Sequence, residues 1–213
     1  MLDNHPPPRL LDLRSVIIAG HRADVATLEQ AIRHDDPNLR AAALGGLLRA
    51  DRLEASQLEQ SFADPSPIVR RRALELTARH HAGRSLASAV AGFLGTETDL
   101  AELAAFVLGE LEDADPSIVA ALEDQALHHA DALARESAVA ALGALHAGKA
   151  TILAALDDKA TVRRRAVIAL APFDGPEVDA ALEAALADRD WQVRQAAEDL
   201  LGPPPTDTND GEP

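Results

Sequence analysis

Five arginines occupy one recurring slot in this chain: Arg40, Arg70, Arg135, Arg163 and Arg194. A guanidinium presents five donors in a planar fork, suited to bridging carboxylate and carbonyl groups. Taken alone, these five look like a row of ligand hooks. Two further pairs, Arg71-Arg72 and Arg164-Arg165, sit at matching places in the second and fifth copies of the same phrase. With about 10 Å between packed helices, three layers would put those pairs roughly 30 Å apart. Carboxylates concentrate elsewhere. Between Arg84 and Arg135 there is no Lys or Arg, and the interval holds ten acidic residues. These are Glu97, Asp99, Glu102, Glu110, Glu112, Asp113, Asp115, Glu123, Asp124 and Asp131. Such segregation can be a solvated face, or a groove that steers a basic protein or peptide.

Other chemistry is poorly served. The eight histidines include the pairs His80-His81 and His128-His129. Adjacent residues diverge by about 100° on a helix, so such a pair cannot chelate a metal from one helical face. His81 and His146 both precede Ala-Gly, where a cation meets the C-terminal end of a helix dipole. Without cysteine there is no disulfide, thiolate metal site or cysteine nucleophile. Neither a nucleophile elbow, a P-loop nor a glycine-rich dinucleotide turn occurs. No cofactor and no catalytic or metal site is expected. The net charge of −15 disfavours nucleic acid, whose binding rests on neutralising phosphates. Membrane spans and a secretory leader are not expected either, which makes the cytoplasm the default location.

The elements that position these residues are helices. Apolar residues recur at three- and four-residue steps, as in Val69, Ala73 and Leu76, or Val162, Ala166, Ala169 and Phe173. Composition agrees: 47% of residues are hydrophobic but only 2% aromatic, and Ala and Leu favour closely packed helices. The phrase itself is an apolar residue, usually an arginine, two variable residues and an alanine, then an apolar residue four further on. Its slots, counting Ala101 in the weakened third copy, are separated by 30, 31, 34, 28 and 31 residues. A period in this range signals a stacked repeat. Asp-Pro or similar steps (Asp36-Pro37, Asp64-Pro65, Asp115-Pro116 and Asp188) are read as lying near the starts of the arginine-bearing helices. Gly83, Gly148 and Gly175 are read as the ends of the arginine-bearing helices, each followed by a shorter helix such as Thr151 to Leu156 or Pro176 to Leu186. Trp191 is read as a core filler on the preceding layer.

Asp-x-x-x-x-Val-Arg-x-x-Ala at this spacing resembles the HEAT repeat, in particular its short bacterial form related to phycobilin lyases. Residues 34–202 carry six such units. The clearest are Asp64 with Val69-Arg70-Arg71-Arg72-Ala73, and Asp188 with Val193-Arg194-Gln195-Ala196-Ala197. The resemblance implies that the slot arginines pair with helix-start aspartates as an internal structural ladder. It also brings in relatives with a di-iron centre, whose ligands are His-Glu dipeptides. No histidine here is followed by Glu. A DNA-binding branch of HEAT-like glycosylases would need a continuous basic groove, which the interval from Arg84 to Arg135 interrupts.

The expected architecture is therefore all-α: a right-handed, armadillo-like α-solenoid of about six HEAT-like hairpins. Residues 1–8 form a disordered lead-in, 9–202 the repeat domain with a helical cap over 9–34, and 203–213 a disordered acidic tail. The expected role is a monomeric, non-enzymatic scaffold binding a protein or peptide, a basic one being favoured. Glu97, Asp99, Glu102, Glu110, Glu112, Asp113, Asp115, Arg71, Arg72, Arg164 and Arg165 are the candidate contacts. A chromophore lyase or chaperone like the phycobilin lyases is the alternative.

Overall fold

The structure is a computed structural model and describes residues 11–111 and 115–202. The expected lead-in and tail lie outside the described residues, as do Glu112 and Asp113. Among the described residues there are thirteen α-helices and no strand. The chain divides into two compact units, Met1–Ala89 and Val90–Pro213. The sequence reading drew a single domain over 9–202.

In the first unit, α1 (Leu13–Arg22), α3 (Pro37–Arg49) and α5 (Pro67–Thr77) pack side by side. Against them lie α2 (Val25–Ala31) and α4 (Ala55–Phe62), and a 3₁₀ turn, Gly83–Leu86, packs on α4. The boundary falls within α6 (Ala87–Ala91). The second unit repeats the plan. Its arginine-slot layer is α7 (Thr98–Glu110), α9 (Ala132–Ala144), α11 (Ala160–Ala169) and α13 (Trp191–Leu201). Its other layer is α8 (Pro116–His128), α10 (Lys149–Ala154) with a following 3₁₀ turn, and α12 (Pro176–Ala185).

Each repeat phrase supplies the buried stripe of its helix. Leu39, Ala43 and Leu47 are buried in α3, as are Val162, Ala166 and Leu170 in and just after α11. Small residues set the spacing within a layer. A Cβ added at Gly143 would lie 2.8 Å from the Ala169 Cβ, so α9 and α11 approach too closely there for any side chain. Helix starts are chemically marked: Asp12, Asp24, Asp36, Asp115, Asp131 and Asp190 each accept a first-turn N–H. Their side chains satisfy donors that a helix leaves without internal partners. Proline occupies the first turn of α3, α5, α8 and α12.

The helix ends differ from the sequence reading. Gly148 and Gly175 precede α10 and α12 as N-caps, and Gly83 opens the 3₁₀ turn. The slot helices α3 and α9, and α1 beside them, instead finish through Asp51, His146 and Ala23, all left-handed with φ of 54°, 52° and 52°. In each case the next amide closes back on the helix: Asp24 N–H on Ala19 O, Arg52 on Leu47 O, Ala147 on Leu142 O. That is the six-residue closure usually built with glycine. Trp191 also departs from expectation. It is the first residue of α13 and 64% exposed, because Val193 and Ala197 already fill the buried face.

Candidate functional site

The slot arginines are tied into the layers. Arg40 donates from Nε and Nη2 to both carboxylate oxygens of Asp64, at 2.8 and 2.7 Å. Its Nη1 donates to the carbonyls of His34 and Asp35, both at 2.8 Å. Arg135 grips Asp158 in the same two-pronged way at 2.6 Å, and Arg163 grips Asp188 at 2.8 and 2.7 Å. Each strut fastens the turn before one slot helix to the turn before the next. Arg70 and Arg194 belong to the last slot helix of their units. They donate to carbonyls, those of Asp64 and Pro65 for Arg70 and of Asp188 for Arg194. The guanidinium bonds hold the carboxyls of Asp64, Asp158 and Asp188 below the ordinary aspartate value, with burial opposing. The partner guanidiniums of Arg40, Arg135 and Arg163 are raised by the same bonds.

Where the slot holds Ala101, a histidine makes the connection. His129 Nδ1 accepts the N–H of Asp131 at 3.0 Å, which assigns the proton to Nε2, and Nε2 donates to Thr96 O at 3.1 Å. Gln125, only 2% exposed, completes the junction: Nε2 donates to the Ala101 and Ala134 carbonyls, and Oε1 accepts from Gly95 N–H. His80 is engaged similarly, Nδ1 accepting from Ala82 N–H and Nε2 donating to Leu53 O. Among the described residues, no group of three or more His, Cys, Asp or Glu is placed to hold a metal.

In the second unit, a surface open to a ligand lies along the slot layer, while in the first unit a hollow of about 790 Å³ lies over α1 and α2. A groove of about 450 Å³ runs over α7 and α9. Phe106 and Leu133 stand in it, 55% and 53% exposed, among the carboxylates of Glu102, Glu110 and Glu136. Leu133 is available because Ala134, one residue on, occupies the buried position that Val or Leu fills in other copies. Arg165 closes one side, reaching Glu136 Oε1 at 3.3 Å. A hollow of about 410 Å³ continues past Arg165 to Ile168, and a third of about 300 Å³ follows between α11 and α13. Arg164, Ile168 and exposed Trp191 line the last.

The described residues of the acidic interval do not act as one face. Glu102 and Glu110 line the groove, joined by Glu136 from beyond the interval. Glu97 and Asp99 are exposed at the start of α7. Asp115 caps α8, and accepting the Ser117 N–H holds its carboxyl below the ordinary value. Asp131 caps α9, Glu123 accepts from Thr151, and Asp124 pairs with His128. In the first unit, Arg71 and Arg72 both pair with Glu75, and Arg72 lies over Gly45. Sequence reasoning overlooked Phe106, Leu133, Glu136, Ile168 and Gln125. The signal for Phe106 was present: it and Ile168 are both five residues after the slot, on the same face as Glu102 and Arg164, one after it.

No family model matches the chain, and no curated protein matches it. Among solved structures it is similar to a designed armadillo repeat protein in complex with the peptide (KR)4. The two share 17% identity at a TM-score of 0.58, covering 83% of this chain and 97% of that one. The fold is therefore that of a helical-repeat α-solenoid of armadillo-like type. The likeness does not extend to the phycobilin-lyase family that the repeat phrase resembles.

Proposed function

We propose that this protein is a non-enzymatic scaffold whose second unit binds a peptide segment carrying basic residues around an apolar one. The observation that carries this reading is the α7–α9 groove, where two large exposed apolar side chains stand among three carboxylates. Burying Phe106 and Leu133 under a ligand side chain supplies affinity through removed apolar surface. Glu102, Glu110 and Glu136 supply steering and select the sign of the partner. The slot arginines are struts in this reading, since their donors are already directed at carboxylates and turn carbonyls. The basic peptide bound by the armadillo neighbour supports the same ligand class.

The test is fluorescence anisotropy with a labelled alternating Lys–Arg peptide bearing a central leucine. Glu102→Gln with Glu110→Gln should slow association at low salt and flatten its salt dependence, as loss of steering requires. Phe106→Ala should weaken binding about tenfold, equivalent to about 1.4 kcal/mol. Unchanged affinity and salt slope in all these variants would sink the reading.

A further inference from the structure

The charge of the slot layer changes sign along the second unit. One residue after each slot, successive helices carry Glu102, Glu136, Arg164 and Gln195. The three hollows form one track: the first two share Ala140, Ala144 and Arg165, and the last two share Ile168. Apolar side chains stand along the track at both ends, Phe106 and Leu133 over α7–α9, Ile168 and Trp191 over α11–α13. Of the two arginines near the middle, Arg165 is turned back onto Glu136. Arg164 is exposed beside Trp191. Asp199 also lines that hollow, where it accepts from Gln195 Nε2 at 2.9 Å.

We propose that the bound segment is two-signed, with a basic block over α7–α9 and an apolar side chain plus a carboxylate seated on Trp191 and Arg164. This inference rests on the peptide-binding reading and adds charge order and spacing to it. A ligand that was basic throughout would meet Arg164 and Arg165 with like charge. A short basic one confined to α7–α9 would leave the indole of Trp191 uncovered. Two layers separate the outer hollows, roughly 20 Å at about 10 Å per layer. An extended peptide rises about 3.3 Å per residue, so about six residues separate its two anchor groups.

Trp191 is the single tryptophan of the chain, so its emission reports on this hollow directly. The probes are labelled peptides with a Lys-Arg-Leu-Lys block and a Phe-Asp-Glu block joined by a Gly-Ser spacer, made in both block orders. A third probe has Lys in place of both acidic residues. The expected result is that one block order binds about tenfold more tightly than the all-basic peptide and shifts Trp191 emission to the blue. Arg164→Glu should remove that advantage while leaving the helical circular dichroism unchanged. The same variant should now favour the all-basic peptide. If the all-basic peptide binds wild-type protein equally well and Trp191 emission stays constant, the two-signed ligand is wrong while peptide binding stands. Absence of binding by every probe overturns the peptide-binding reading itself.

Discussion

Asp64, Asp158 and Asp188 show how a repeated residue type acquires a fixed job. Each carboxylate accepts two guanidinium bonds and also an N–H of the following turn, from Ser66, Lys159 and Asp190 respectively. Their folded-state values lie below those of an unfolded aspartate, about 3.9. Their stabilising contribution is complete above that unfolded value and is lost as pH falls toward the folded ones. Denaturant midpoints should therefore hold between pH 7 and 5, then drop below about pH 4. Asp188→Asn should lower the midpoint at pH 7 and flatten that acid limb. The Ala101 and His129 pair makes a second prediction. His129→Asp on its own places a carboxylate where no guanidinium waits, and should destabilise the second unit. Adding Ala101→Arg should recover part of the loss, with a coupling of about 1 kcal/mol or more in a double-mutant cycle. The slot, its arginines and the exception at Ala101 were visible in the one-dimensional pattern. That His129 bridges the gap was not, because its partners are backbone groups whose identities the side-chain sequence does not encode.

Helix starts and helix ends were unequally legible. Starts depend on side-chain oxygens and proline, which a sequence displays openly. The Asp-Pro step at Asp36 opens the slot helix α3 as read, and that at Asp64 lies just ahead of α5, which Ser66 and Pro67 open. The step at Asp115 opens α8 of the other layer rather than a slot helix. Ends depend on a backbone conformation that glycine favours but does not monopolise. Ala23, Asp51 and His146 accept left-handed geometry because the closing hydrogen bond and the packing of the next element hold them there. An L-residue in this conformation costs about 1–2 kcal/mol relative to the right-handed one. Ala23→Gly should relieve much of that cost and raise the thermal midpoint of unfolding by a few degrees, measurable by calorimetry. Glycine should give little or nothing at a right-handed cap such as Ala50. The shift of Leu133 onto the surface has a similar origin. Both Leu133 and Ala134 are apolar, and only the registry of α9 against its neighbours decides which one turns inward.

Across the whole molecule, the predicted ligand behaviour depends on one face of one unit. If the α7–α9 groove binds basic peptides, affinity should fall as ionic strength rises, since exposed charges are screened over about 8–10 Å at 0.1–0.15 M salt. The contribution of Phe106 should survive that screening, because apolar burial does not depend on salt in the same way. The sequence by itself determined the all-α class, the repeat period, the positions of the struts and the presence of an arginine-free acidic interval. These follow from local rules: helical periodicity, capping chemistry and net charge act over a few residues at a time. Only the tertiary structure decided that the chain separates at Ala89, that within the acidic interval Asp115 and Asp131 are caps while Glu102 and Glu110 are groove walls, and that Glu136 joins the latter two. Those outcomes come from stacking, which brings residues about 30 positions apart onto one face and selects, through packing, which of two neighbouring side chains is buried and which remains exposed.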